Sequence, residues 1–169
     1  MMGIAHTIEN LFQMSDEVWA RHANPWSVWT RYSGLPLLAL AIWSRSWIGV
    51  YAIPLVILVI VWIWINPRIF SKPKSTKNWA SRAVLGERVW LTHPKQDIPT
   101  HHLTAIKYLN VIMTLSFAMA LYGLFALHPW FTIFGTLMTV IGKSWFLDRM
   151  VWLFQDLKMS KDLYQSWDY

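Results

Sequence analysis

Four long apolar runs separated by polar breaks set the pattern of this chain: residues 25–44, 47–65, 104–127 and 130–148. Each supplies the roughly 20 residues that an α-helix, rising about 1.5 Å per residue, needs to cross about 30 Å of hydrocarbon. The breaks at Ser44-Arg45-Ser46 and Leu127-His128-Pro129 are short enough to require tight turns. The pattern therefore predicts an all-α membrane protein with four transmembrane helices as two antiparallel hairpins, in one membrane domain spanning 1–169.

Weaker periodicities describe the rest. Ile4, Ile8, Leu11 and Phe12 fall at helical spacing, so residues 1–23 are expected as an N-terminal amphipathic segment on the membrane surface. Ser15 has the character of an N-cap, with Asp16 and Glu17 complementing the helix dipole and Met14 packing across the cap onto Trp19. Asn24 before Pro25 is a start signal for the first span. Pro36 is expected to kink that span, Pro54 to bend the second, and Asn66-Pro67 to end it. The cytoplasmic loop expected over 66–103 places Trp79, Ala83, Gly86 and Trp90 on one face. That predicts an interfacial helix at 76–91, its polar side facing headgroups or folding back onto the bundle. Residues 149–169 are expected to continue the last helix and end as a short polar tail.

Spans three and four each carry small residues at i, i+4 and i+7: Ser116, Ala120 and Gly123 in one, Gly135, Thr139 and Gly142 in the other. Facing stripes of this kind allow close backbone approach, which predicts a packing seam.

Composition sharpens the membrane reading. The 169 residues are 55% hydrophobic and only 14% charged, with 13 Trp, far from the balance of an average soluble domain. The absence of Cys excludes disulfides, thiolate ligands and a cysteine nucleophile. Glu9, Asp16 and Glu17 interrupt the N-terminal region, so a cleaved signal peptide is not expected.

The net charge of +6 is distributed by topology. Arg68, Lys72, Lys74, Lys77, Arg82, Arg88, Lys95 and Lys107 lie in the central loop or at its edge, Arg21 and Arg31 precede or open the first span, and Arg149, Lys158 and Lys161 close the chain. One short turn holds only Arg45 and the other no Lys or Arg. This bias predicts a multi-pass protein of the cell inner (cytoplasmic) membrane with both termini cytoplasmic. The basic side is then expected to meet anionic lipid headgroups; nucleic acid is not an expected partner. Trp43, Trp47 and Trp130 would mark the outer interface, and a heavier belt including Trp26, Trp62, Trp79 and Trp145 the inner one.

Depth along the spans selects candidate site residues. Counted from the outer turns, Arg31 and Lys143 both lie about 21 Å inward, within the inner leaflet's hydrocarbon. Asn66, Asn110, Lys107, Asp148 and Arg149 lie slightly further in. Buried charge at that depth faces a cavity or partner, or extends to headgroup level. Both alternatives stand for Arg31 and Lys143. The candidate anion or headgroup site comprises Arg31, Lys143, Asn24, Asn66, Asn110, Asp148, His22, Glu87 and Arg88. Of six His, none falls mid-span, and His101-His102 lacks the further boxes of a membrane di-iron site, so no metal ligands are assigned and no cofactor is identified. His22, near the proposed mouth, fits either a proton carrier or a cap at a helix end. No nucleophile elbow, P-loop or dinucleotide fingerprint occurs.

The run Arg21-His22-Ala23-Asn24-Pro25-Trp26-Ser27, followed by Trp29-Thr30-Arg31, resembles the opening motif of a family of small prokaryotic membrane proteins known as a domain of unknown function. Asn66-Pro67 and Ser81-Arg82-Ala83-Val84-Leu85-Gly86-Glu87-Arg88 are similar to the same pattern. The resemblance covers about residues 15 to 92 and implies no activity.

The leading expectation is a non-catalytic accessory subunit or lipid-binding module whose basic inner-leaflet mouth engages anionic lipid, a protein partner or a second copy. The alternatives are a membrane-embedded enzyme on a lipid or amphiphile, with His22, Asp148 or Glu87 as acid or base, and a small transporter.

Overall fold

The computed structural model describes residues 15–169. The amphipathic helix expected over residues 4–13 and the contact of Met14 with Trp19 therefore lie outside the described residues. Among the described residues the secondary structure is helical, without strands. In chain order the α-helices are α1 (Asp16–His22), α2 (Pro25–Arg31), α3 (Gly34–Trp43), α4 (Arg45–Ile48), α5 (Ala52–Ile69), α6 (Trp79–Thr92), α7 (Thr100–Ala126), α8 (Pro129–Leu157) and α9 (Asp162–Gln165).

Among the described residues three helical stretches are long and apolar enough to cross a membrane: Pro25–Ile69, Thr100–Ala126 and Pro129–Ser160. The first and second expected spans both fall within Pro25–Ile69. At 45 residues an unbroken helix of that length would extend about 67 Å, more than twice the hydrocarbon thickness. Two of its interruptions have residue-level causes. Between α2 and α3 the chain makes tighter bonds, from the Tyr32 amide to the Trp29 carbonyl and from the Ser33 amide to the Thr30 carbonyl. Pro36 explains the position: it has no N–H for the Tyr32 carbonyl four residues earlier, and its ring crowds that group. The expected kink thus falls on the N-terminal side of the proline. The second interruption follows α4 at Gly49, whose φ of +57° is accessible at little cost only without a Cβ. The second expected span accordingly starts as α-helix at Ala52 rather than Trp47, and Pro54 lies in its first turn, where it breaks no internal bond.

Packing divides the chain into two compact units, one of residues 1–28, 67–99 and 147–169 and one of residues 29–66 and 100–146.

In the second unit small residues set the contacts. A methyl added at Gly135 would lie 2.4 Å from the Ala120 nitrogen and 2.8 Å from the Ser116 oxygen; one at Gly123 would meet the Thr132 nitrogen at 2.4 Å. The two stripes of small residues therefore face each other, as their spacing predicts. Leu127, just past the end of α7, has φ of 51°, while the His128 amide donates back to the Gly123 carbonyl at 2.8 Å, the bond of a Schellman cap. Gly34 lies against Ile63. Arg45 donates from Nη2 to the Leu124 carbonyl at 2.6 Å and the Phe125 carbonyl at 3.0 Å, satisfying acceptors that the end of α7 leaves open.

The first unit is held differently. α6, within the stretch expected as an interfacial helix, has a protein-packed face: Ala80, Ser81, Ala83, Val84, Leu85, Gly86 and Val89 are all buried. The spacing of Trp79, Ala83, Gly86 and Trp90 is helical, but the small residues mark contact with protein. A methyl at Gly86 would lie 1.9 Å from the Met150 carbonyl oxygen on α8. Met150, Leu153 and Phe154 are buried in the same core. The C-terminal segment packs against the rest of this unit. Tyr164 is buried, and the Thr76 amide donates to the Tyr169 carbonyl at 2.8 Å.

Candidate functional site

In the first unit, local signals place α1. Ser15 caps it, accepting from the Val18 amide. Asn24 then separates α1 from α2, its Oδ1 accepting from the Trp26 amide at 2.9 Å and its Nδ2 donating to the Ser71 carbonyl at 2.9 Å. Arg21 donates from Nη1 to the Arg68 carbonyl at 3.3 Å. These two side chains satisfy carbonyls at the end of α5 and just beyond it. That accounts for a departure from expectation: α5 runs through Asn66-Pro67 to Ile69, because its exposed carbonyls gain partners 47 residues away in sequence.

Where α1 meets residues 69–72 there is a groove of about 460 Å³ lined by Glu17, Ala20, Arg21, Ile69, Phe70, Ser71 and Lys72. Glu17 Oε1 accepts from Arg21 Nη2 at 2.5 Å, both side chains being substantially exposed. Lys72 Nζ stands 4.7 Å above the Tyr169 ring.

A second cluster surrounds Arg88, a residue expected at the ligand site. Its guanidinium pairs with Asp16 and lies 4.2 Å from the Trp167 ring centroid and 6.0 Å from that of Trp19. Cation–π contact and ion pairing together make Arg88 a tie between α1, α6 and the C-terminal segment. His22 packs edge-on against Trp19, with centroids 5.7 Å apart.

A third cluster centres on Asp168, which accepts from Arg82 Nη2 at 3.2 Å and from Lys158 Nζ at 3.2 Å. Burial pushes its carboxyl upward, but the hydrogen bonds from Lys158 and Arg82 and the charges of both bases outweigh that, so the group titrates below its usual range. Thr76 Oγ1 donates to the Trp167 carbonyl at 2.7 Å. His93 Nδ1 lies 3.2 Å from the Tyr164 hydroxyl. Burial, followed by the positive charge of Lys161, holds His93 below its usual value against the opposing effect of Asp97.

The expected site residues fall into both units. Asn24, His22, Glu87, Arg88 and Asp148 belong to the first; Arg31, Asn66, Asn110 and Lys143 belong to the second. In the first, Asp148 Oδ1 accepts from Trp79 Nε1 at 3.0 Å. In the second, Asn66 is fully buried and donates from Nδ2 to Thr30 Oγ1 at 2.7 Å, an arrangement suited to packing rather than ligand contact. Lys143 is exposed, its Nζ 4.6 Å from the Phe146 ring centroid. Asn110 is exposed and Arg31 half-buried.

A family model described as "Family of unknown function (DUF6653)" matches residues 3–166. The chain belongs to this family. Comparison with curated proteins and with solved structures returns no match. In this DUF6653 chain, several residues of the motifs that carry the resemblance have structural partners: Ser81 Oγ donates to the Ala23 carbonyl at 2.6 Å, Arg21 and Asn24 hold the segment after α5, and Gly86 admits the Met150 carbonyl. The polar residues that sequence reasoning missed are Thr76, Arg82, His93, Lys158, Tyr164 and Asp168. Their partners are separated by up to 93 positions, a distance over which local periodicity carries no signal. The Asn78 cap, accepting from the Ser81 amide at 2.9 Å, is a local signal that was there to be used.

Proposed function

We propose that the protein is a non-catalytic accessory subunit or lipid-binding module of the inner membrane, with four spans in two antiparallel hairpins and both termini cytoplasmic. Its basic cytoplasmic side engages anionic lipid headgroups or an acidic partner. The observation that carries this reading is the unequal distribution of charge. The second unit contains no Asp or Glu, and its only Lys or Arg residues are Arg31, Arg45, Lys107 and Lys143, leaving eleven of fifteen basic residues in the first. The second unit also exposes large apolar side chains, including Leu58 at 68% and Phe125 at 83%, as a lipid-facing surface would.

Contacts inside the first long stretch support the four-span reading. Thr30 bonds Asn66, Ser33 Oγ accepts from Trp62 Nε1 at 3.2 Å, and Gly34 meets Ile63. Residue 30 meets 66 while residues 33 and 34 meet 62 and 63, as the two arms of an antiparallel pair would. The one positively charged outer turn is also accounted for: Arg45 is engaged by carbonyls of α7, so it counts little against a cytoplasmic bias.

Extraction in mild detergent followed by native mass spectrometry tests the functional reading. It is expected to show retained phospholipid or a co-purifying protein. A lipid-free, partner-free monomer that turns over an amphiphilic substrate would overturn it.

A further inference from the structure

The groove beside α1 has a chemistry more specific than a basic surface. Part of its lining is apolar, from Ile69 and Phe70, at the end of a helix long and apolar enough for the hydrocarbon. The rest carries two cations, Arg21 on α1 and Lys72 on the facing segment, and one carboxylate, Glu17. Its volume of about 460 Å³ lies within the usual range for small-molecule sites. We propose that this groove holds the headgroup of an aminophospholipid, with the phosphodiester at Lys72 and Arg21 and the primary ammonium at Glu17. The assignment rests on the lipid-binding reading above and adds to it one site for a zwitterionic headgroup, beside the anionic lipid met by the basic surface at large.

Three features favour this occupant. A guanidinium has five N–H donors in a planar fork. Arg21 uses one toward the Arg68 carbonyl and one toward Glu17, leaving donors for a phosphate oxygen. Lys72 is placed by its ring contact with Tyr169, while its ammonium remains exposed. Glu17 has one oxygen on Arg21 and a second that can accept from an ammonium. The Glu17–Arg21 pair is exposed, so water already competes for it and a ligand can share it at little cost. A headgroup bearing only negative charge would satisfy the cations but would meet Glu17 with like charge. A trimethylated ammonium would reach Glu17 without an N–H to donate.

The test uses the full chain in mild detergent, titrated with phosphatidylethanolamine, phosphatidylcholine and phosphatidylglycerol and read by native mass spectrometry. The wild type is expected to retain phosphatidylethanolamine about tenfold better than phosphatidylcholine, the difference of one charge-assisted hydrogen bond. Lys72→Ala is expected to lower retention of all three, while Lys72→Arg keeps it. Glu17→Gln is expected to remove the preference for phosphatidylethanolamine over phosphatidylglycerol and leave phosphatidylglycerol bound. Equal retention of phosphatidylethanolamine and phosphatidylcholine, or no response to Lys72→Ala and Glu17→Gln in chains that still retain lipid, overturns the groove assignment alone. Failure of the wild type to retain phospholipid of any class defeats the broader reading as well. Soluble glycerophosphoethanolamine displacing the lipid at equal concentration assigns the site to a free headgroup compound, against the proposal.

Discussion

In the first unit, Gly86 lets α6 rest on the Met150 carbonyl; in the second, Gly135 lets α8 rest on the Ala120 nitrogen. The two close approaches are alike, but what surrounds them is not. Around Gly86 the elements are tied by groups far apart in sequence: Asp168 to Arg82 and Lys158, Arg88 to Asp16, Ser81 to the Ala23 carbonyl. The second unit has no carboxylate with which to form an ion pair. It relies on interlocking shape, on Arg45 at the end of α7 and on one buried amide–hydroxyl bond. Charge thus organises one unit and small side chains the other, as expected if water surrounds the first and lipid the second.

The largest effect that would separate the two is steric. Gly86→Ala forces a Cβ into backbone that cannot swing aside, and is expected to destabilise the first unit by about 3 kcal/mol or more. Limited proteolysis should then cut within residues 67–99 while the α7–α8 contact region stays protected. Gly135→Ala is expected to do the reverse. If either substitution opens both units equally, they are not independent and the comparison fails.

Next in size is the Asp168 node. Asp168→Asn removes the charge that Arg82 and Lys158 share and is expected to cost about 2 kcal/mol, read as faster hydrogen exchange at the Thr76 amide with no change across α7. Smaller is the bond inside the second unit. Thr30→Val removes an acceptor from the buried Asn66 amide and is expected to cost about 1 kcal/mol. Adding Asn66→Leu should recover much of that loss, a recovery that chain-charge effects would not produce.

The smallest effect concerns pH and belongs to the first unit. His93 has a folded-state pKa below its unfolded value of about 6.5, so the folded chain binds fewer protons. Its contribution to stability is full above pH 6.5 and is lost as pH falls from there through the folded value. Protection of the C-terminal segment should decline over that window in the wild type and remain flat in His93→Gln. Asp168 adds a loss only at lower pH, below about 4, where a depressed carboxylate finally protonates.

The long apolar runs were legible because membrane thickness demands about 20 apolar residues and leaves little alternative. Ser15, Asn24-Pro25 and the two small-residue stripes were legible because caps and close packing have local signatures. Asn66-Pro67 misled for a physical reason: a proline usually ends a helix, but here Arg21 and Asn24 supply donors to the carbonyls beyond it. The buried face of α6 was not legible because the same small and aromatic spacing suits a membrane surface and a protein core alike. The Asp168 and Tyr164 contacts could not have been found, since their partners lie in distant segments with no shared pattern. Of the candidate site, the residues were identifiable as polar and near span ends, but Asn24, Asn66 and Arg88 have structural partners that only packing reveals.

The central claim, a four-span protein whose charged unit faces the cytoplasm, is most directly tested by single-cysteine accessibility, for which a chain without Cys is already suited. Ser46→Cys, His128→Cys, Gln96→Cys and Gln165→Cys, all at exposed positions, would be treated in intact cells with a membrane-impermeant maleimide. The account predicts labelling at 46 and 128 from outside, and at 96 and 165 only after permeabilisation. Labelling of 46 and 128 from opposite sides, or of 96 and 165 in intact cells, would contradict it.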